Sequence, residues 1–316
     1  MKSIPVWGAI ILALIVGTLM ALQSRINGEL ADRLDDPFTG TAFGFILANL
    51  ILLIACAFWR PGRHGIARVF RAVRGGTMPL WMLSGGLVGA VYVLTQSLTV
   101  ATLGVALFSV ASVGGQAIGG AMMDRTRIVP GGPYTLTPAR AAGALLAIIA
   151  VIVTQSTGFQ SSVPVWMMLL PIAVGMAQGW QQAVNAQVRM EAHSAFTTTF
   201  FNGWIGLLLL IPAAAIKVAV SGVPADFPSQ WWLYSGGMIG IIFIAIAPIV
   251  VHAMGALLYT LVAITGQLTA AVVLDLLRAD AEPLPATTII GVALALLAVG
   301  VGSLRRRPPF ARGRRA

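Results

Sequence analysis

Apolar residues in this chain run in long unbroken blocks rather than recurring on one face. Ten such stretches stand out: Ile4–Leu22, Phe43–Trp59, Leu80–Leu98, Gly104–Met122, Ala141–Val153, Val165–Gly179, Thr199–Val218, Trp232–Val251, Gly255–Leu276 and Thr287–Leu304. About 20 apolar residues in a helix cross a hydrocarbon core of about 30 Å, at about 1.5 Å per residue. A segment apolar all round is read as a membrane or buried helix. The shorter blocks are expected to extend into their polar flanks. The pattern therefore predicts an all-α polytopic membrane protein with ten transmembrane helices. The loops between them are too short for a separate soluble domain. The first block follows Lys2 and has the outline of a signal peptide. The polar residues that close it recur in mid-chain, where no leader can sit, so it is read as a span.

Composition sharpens this picture. Hydrophobic residues make up 58% of the chain, with 35 glycines besides, and only 9% are charged. Soluble domains carry about 25% charged residues. A soluble enzyme, a disordered chain and a nucleic-acid-binding domain are excluded on this ground. The pI of 11.2 does not restore the last of these, because the cations sit in short tracts between apolar blocks. With alternating spans, one side holds Lys2, five arginines in 60–74, Arg125, Arg127, Arg140, Arg189 and six arginines after Leu304. That is 16 of the 20 basic residues. The positive-inside rule then puts both termini in the cytoplasm. The basic tail, 305–316, is read as an anchor near anionic lipid. Cys56 is the only cysteine, so no intramolecular disulfide can form.

An internal repeat organises the blocks. Shifting the chain by 151 residues aligns Trp81–Asp124 with Trp232–Asp275, with 11 identities in 44 positions and no gap. Chance in this composition gives on the order of 4. Matches include Trp81/Trp232, Ser84/Ser235, Gly85/Gly236, Gly86/Gly237, Gly89/Gly240, Gly115/Gly266, Gln116/Gln267 and Asp124/Asp275; Tyr92/Phe243 and Phe108/Tyr259 are near-identities. The first two spans align at a shift of 158, pairing Gln23 with Gln181, Asn27 with Asn185 and Phe38-Thr39 with Phe196-Thr197. The difference of seven residues fits a longer, arginine-rich loop at Arg60–Arg74. The expected units are 1–158 and 159–304. Each has five helices, an odd number, so the second enters the membrane from the opposite side. Inverted repeats of this kind are typical of secondary transporters. Two units related by an axis in the membrane plane can exchange conformations, turning an inward-facing cavity outward.

The five-plus-five plan resembles the drug/metabolite transporter superfamily. Within it, the chain is similar to a family of small inner-membrane transporters known as a domain of unknown function, whose members are commonly single five-helix units. The residues carrying the likeness are Gln23-x-x-x-Asn27 with Gln181-x-x-x-Asn185, Ser84-Gly85-Gly86-x-x-Gly89 with Ser235-Gly236-Gly237-x-x-Gly240, and Gly115-Gln116 then Asp124 with Gly266-Gln267 then Asp275. The resemblance spans about residues 5–303 and implies a transporter of the bacterial inner membrane. It departs where the family often continues with His-Phe-Gly after the aspartate: here Arg125-Thr126-Arg127 and Leu276-Leu277-Arg278 follow.

Polar groups within spans are costly unless partnered, so they are the candidate pathway. Gln116 and Gln267 lie at matching depth in the two halves. They read either as amides lining a central path or as interhelical glue. Gln23 and Asn27 share one helix face, as do Gln181 and Asn185, and are candidate gates at the two mouths. Tyr92, Tyr259, Trp180 and Trp204 are candidate cavity aromatics, which in a cage would hold a planar or quaternary cation. Trp59, Trp81, Trp231 and Trp232 fit interfacial belts. Asp124 and Asp275 end helices where the dipole disfavours them. Each needs a local partner, with Arg125, Arg127 and Arg278 as candidates, and each is a candidate gate or coupling group. Gly85, Gly89, Gly115, Gly119, Gly236 and Gly240 suit close helix packing. The same faces could instead serve a homodimer.

The absences narrow the mechanism. None of the ten acidic residues falls in mid-span, unlike the glutamate in the first helix of the superfamily's small multidrug exporters. His64, His193 and His252 lie in or near loops. No Walker loop, metal-ligand cluster or paired-carboxylate motif is visible. An enzyme, a metal site, a cofactor and a nucleic-acid partner are therefore not expected. The reading is a secondary transporter, of exporter type, moving small polar metabolites or amines across the bilayer by alternating access, with uniport-like exchange favoured. The alternative is a membrane protein that carries no solute, such as a lipid scramblase or a regulatory partner.

Overall fold

A computed structural model describes residues 4–130, 132–133, 137–155, 169–224, 226–276 and 286–303. Among these every regular element is helical. The helices are α1 (Val6–Leu34), α2 (Pro37–Phe58), α3 (Arg60–Arg74), α4 (Gly85–Asp124), α5 (Pro138–Gln155), α6 (Leu169–Ala192), α7 (Ala195–Ser221), α8 (Gly236–Met254), α9 (Ala256–Leu276) and α10 (Ala286–Ser303). Four stretches among the described residues are long and apolar enough to cross a bilayer: Val6–Asn27 in α1, Phe38–Phe58 in α2, Ala195–Ser221 in α7, and Trp231–Met254, which is α8 with the 3-10 turn before it. Their outward faces carry large apolar side chains such as Ile15, Ile54, Leu208 and Val220, as lipid contact requires.

Two features differ from the sequence pattern. The stretch Arg60–Arg74, expected as a loop, is helix α3. It is amphipathic rather than apolar: Gly62, Gly65, Val69 and Ala72 are buried, while Arg60, Arg63, Arg71 and Arg74 are exposed. The Arg68 guanidinium donates to the Ala192 carbonyl at the end of α6, and Arg63 donates to the Ala57 carbonyl near the end of α2. Both cations thus sit at the negative ends of helix dipoles.

The second difference is α4, where the two blocks expected at Leu80–Leu98 and Gly104–Met122 form one helix of 40 residues. It is not straight. Gly89 lies against Gln181 and Gly119 against Met176. A straight helix would separate Gly89 from Gly119 by about 45 Å, whereas Met176 and Gln181 are about 8 Å apart along α6. Tyr92 also hydrogen-bonds to Ser112, across a distance of about 30 Å in a straight helix. The chain therefore doubles back between Gly89 and Gly115, and α4 has two arms. In the second half the same path is interrupted at Gly255, whose φ of +86° ends α8 before α9 begins. A left-handed residue of this kind favours glycine.

The connections repeat as well. Asp35 and His193, 158 residues apart, are the two non-glycine residues at positive φ among those described. Each is followed by an N-cap. Asp36 accepts from Phe38 N and Thr39 N at the start of α2, and Ser194 accepts from Thr197 N at the start of α7. Such caps satisfy backbone donors that a helix start leaves open.

Packing crosses between the halves. α1 lies against α8 and α9, and α6 lies against α4. Glycines set these contacts in matching pairs. A Cβ at Gly17 would overlap the Ala263 carbonyl, and one at Gly175 the Ser112 carbonyl; one at Gly115 would overlap the Ile172 carbonyl, and one at Gly266 the Leu14 carbonyl. Under the shifts of 151 and 158, each contact maps onto the other. The first helix of each half is thus embraced by the helical V of the other half, and α5 packs along its counterpart α10.

Candidate functional site

The ends of α1 and α6 bring amides to the middle of this arrangement. Gln23 and Asn27 lie on the last turns of the apolar part of α1, facing the glycine-rich start of α8. Gln23 Nε2 donates to the Gly236 carbonyl at 2.8 Å, and a Cβ at Gly240 would come within 2.7 Å of that nitrogen. Gln181 and Asn185 repeat the placement against α4: Gln181 Nε2 is 3.0 Å from a Cβ built at Gly89, and Asn185 Oδ1 abuts Gly85. The glycines let amides reach backbone that a side chain would cover.

The two ends are not identical. On α7, Asn202 stands where α2 has Gly44. Asn202 Nδ2 donates to Asn185 Oδ1 at 2.6 Å, and its own Oδ1 lies 3.3 Å from both Asn185 Nδ2 and Gln181 Nε2. All three side chains are buried. The second half therefore carries a closed amide network, which Gly44 cannot form in the first half.

Between these ends lies a cavity of about 130 Å³. Seven pairs of its lining residues are related by the repeat: Met20/Gln178, Gln23/Gln181, Asn27/Asn185, Phe45/Gly203, Gly89/Gly240, Tyr92/Phe243 and Val93/Ile244. The cavity is thus lined at matching positions from both halves of the chain. Nine of its lining residues are carboxamides: Gln23, Asn27, Asn49, Gln96, Gln178, Gln181, Gln182, Asn185 and Gln267. Among the described residues none of the lining side chains is acidic or basic. Asn49 Oδ1 and Gln182 Oε1 are buried without a hydrogen-bond partner, although Asn49 Nδ2 donates to the Phe45 carbonyl.

Of the residues singled out from sequence, Gln23, Asn27, Tyr92, Gln181, Asn185 and Gln267 converge on this cavity. Three others lie elsewhere. Gln116 is off the cavity, on the arm of α4 that packs against Gly175 of α6. Tyr259 is buried in the apolar core with Val250, Met254 and Val262. Trp204 is 36% exposed and stacks near Phe200. Trp180 donates Nε1 to Ser84 Oγ and packs on Trp81. Of the four aromatic candidates only Tyr92 lines the cavity, so Tyr92, Tyr259, Trp180 and Trp204 do not build an aromatic cage.

Sequence reasoning missed Asn49, Gln96, Gln178, Gln182 and Asn202. Their repeat mates are Leu207, Ala247, Met20, Ser24 and Gly44, so a search for matching polar residues passes over them. The signal that finds them is plainer: an amide inside an apolar block.

Asp124 is 1% exposed at the end of α4. Its carboxylate accepts from Ala256 N at 2.7 Å and Leu257 N at 3.4 Å, so it caps the start of α9. The partner is the positive end of a helix dipole, a natural seat for an anion. The side chain of Asp275 lies outside the described residues. The six glycines Gly85, Gly89, Gly115, Gly119, Gly236 and Gly240 all lie where an added Cβ would press on a neighbouring helix or amide.

The model of one family, described as "Putative inner membrane exporter, YdcZ", matches the chain twice, over residues 8–153 and 166–301. No curated protein matches it. A solved structure known only as "Crystal structure of protein" superposes with a TM-score of 0.63, covering 93% of this chain and 95% of its own at 18% identity. That likeness concerns the fold alone.

Proposed function

Because the chain belongs to the family described as "Putative inner membrane exporter, YdcZ" and is a multi-pass integral inner-membrane protein, we propose that it is a secondary transporter exporting small polar metabolites or amines by alternating access. Ten spans would form two inverted five-helix units, 1–158 and 159–304, followed by a basic cytoplasmic tail, 305–316. The two arms of α4 count as two spans in this scheme, and α3 lies along the surface. The double match of one family model and the reciprocal packing of α1 and α6 support two equivalent units.

The observation that carries the reading is the cavity lined by paired positions from both halves. A site fed equally by both halves is what exchange of two conformations requires. Gln23 and Asn27 guard one mouth, and Gln181 and Asn185 the other. Gln267 lines the path and Gln116 supports it from the α4–α6 contact. Asp124 is engaged as a cap at the start of α9; uniport-like exchange is favoured, with Asp124 and Asp275 as the candidate gate or coupling groups.

The test is solute flux in proteoliposomes with amino acids, quaternary amines, guanidinium compounds and nucleosides, with and without a pH gradient. Flux of one class, lost in the double variant Gln23→Ala, Gln181→Ala, supports the reading. Lipid movement between leaflets with no solute flux would replace it with a scramblase.

A further inference from the structure

The cavity's chemistry speaks to what passes through it. Its nine carboxamides offer N–H donors and carbonyl acceptors side by side. Asn49 Oδ1 and Gln182 Oε1 are acceptors left open. Phe45, Tyr92 and Phe243 add apolar wall. A charged solute in this place would find no counter-ion among the described lining residues. Burying a charge without one is costly, whichever its sign. A hydroxyl or neutral amide instead complements every polar group present. Size sets a second limit: the cavity, at about 130 Å³, is slightly smaller than an engineered cavity of about 150 Å³ that binds benzene, a ligand of six heavy atoms.

We propose that this cavity selects uncharged solutes rich in hydroxyl or amide groups, of about six heavy atoms, and discriminates against amine cations and carboxylate anions alike. The inference rests on the transport reading above and narrows its substrate class.

Three solutes of nearly one shape test it: glycerol, its amine analogue 2-aminopropane-1,3-diol, and its carboxylate analogue glycerate. Flux is measured in proteoliposomes at neutral pH against protein-free liposomes. Thermal unfolding of the purified full chain with each solute provides a binding readout. Glycerol is expected to cross faster than either ion by about tenfold or more, the discrimination that about 1.4 kcal/mol of uncompensated charge burial gives. The isosteric variant Gln178→Glu, which places an acid in the cavity wall, is expected to raise flux of the amine and lower that of glycerol. Amine or glycerate flux equal to or faster than that of glycerol in the unmodified protein would overturn the substrate class while leaving transport intact. Glycerol that raises the unfolding temperature, where the two ions do not, but never crosses would sink transport and keep the class. Neither flux nor binding of glycerol would overturn the class outright.

Discussion

Gly114 and Gly115 are neighbours on the second arm of α4, and the structure assigns them opposite responses to the same change. A Cβ at Gly114 meets nothing within 4 Å; one at Gly115 overlaps the Ile172 carbonyl oxygen and lies 2.9 Å from its carbon and 3.0 Å from Met176 N. Carbon atoms in contact prefer about 3.5–4.0 Å. The atoms in the way are backbone, so relief requires α4 to move from α6 as a body. Replacing glycine by alanine within a helix is worth about 0.5–1 kcal/mol in either variant. That gain cancels in the comparison and leaves the overlap, which costs about 1–3 kcal/mol. Gly114→Ala is therefore expected to equal or exceed the native protein in stability. Gly115→Ala should fall about 1–3 kcal/mol below Gly114→Ala. Reversible unfolding by SDS in mixed micelles, followed by loss of helicity, measures both. Two variants within about 0.5 kcal/mol of each other, the usual scale of a neutral surface change, would refute the close approach of α4 and α6.

Other sites give independent tests. Asp124→Ala removes two hydrogen bonds from buried backbone donors and should cost about 1–3 kcal/mol, with faster amide exchange at Ala256 and Leu257; unchanged exchange there would deny the cap. Asn202→Ala leaves Gln181 and Asn185 short of a buried partner and is expected to destabilise by about 1–3 kcal/mol. Gly44→Ala, at the matching position, should be close to neutral, since a Cβ there meets only Gly237 N at 3.8 Å. Arg68→Ala frees the end of α6 and should cost about 0.5–2 kcal/mol, read as faster proteolysis between α6 and α7.

What was legible in the sequence is what symmetry and hydropathy encode. Apolar blocks located the helices, and the repeat located Gln23, Asn27, Gln181 and Asn185 together with their glycine partners. The same method hid Asn202 and Asn49, because a residue that breaks the symmetry has no mate to reveal it. The doubling back of α4 was legible only as two blocks, since nothing in Leu98–Gly104 marks whether the helical hydrogen bonding stops. The amphipathic helix α3 was concealed by its composition: Pro61, Gly62 and Gly65 read as loop residues. Pro61 is accommodated in the first turn, and the two glycines let α3 sit on Phe196 and Thr197. For Asp124, the dipole argument demanded a partner and named nearby arginines. The backbone donors that its carboxylate meets lie 132 residues away in sequence, beyond the reach of local reasoning.

The reciprocal seating of α1 and α6 also bears on how the chain is made. Gln23 and Gly17 of α1 find their partners at Gly236, Ala263 and Gln267, some of the last helix residues to be synthesised. At about 5–20 residues per second, roughly 10–50 s pass between emergence of the first helix and arrival of the surface that receives it. α6 waits far less, because both arms of α4 are already made when it emerges and α7, which carries Asn202, follows directly. The carboxyl-terminal half thus assembles onto a finished cradle, while the amino-terminal helix must hold its amides in the bilayer, unsheltered, until translation is nearly over. Early misassembly is thus a hazard of the amino-terminal half, for α1 above all and also for α5, whose partner α10 comes later still.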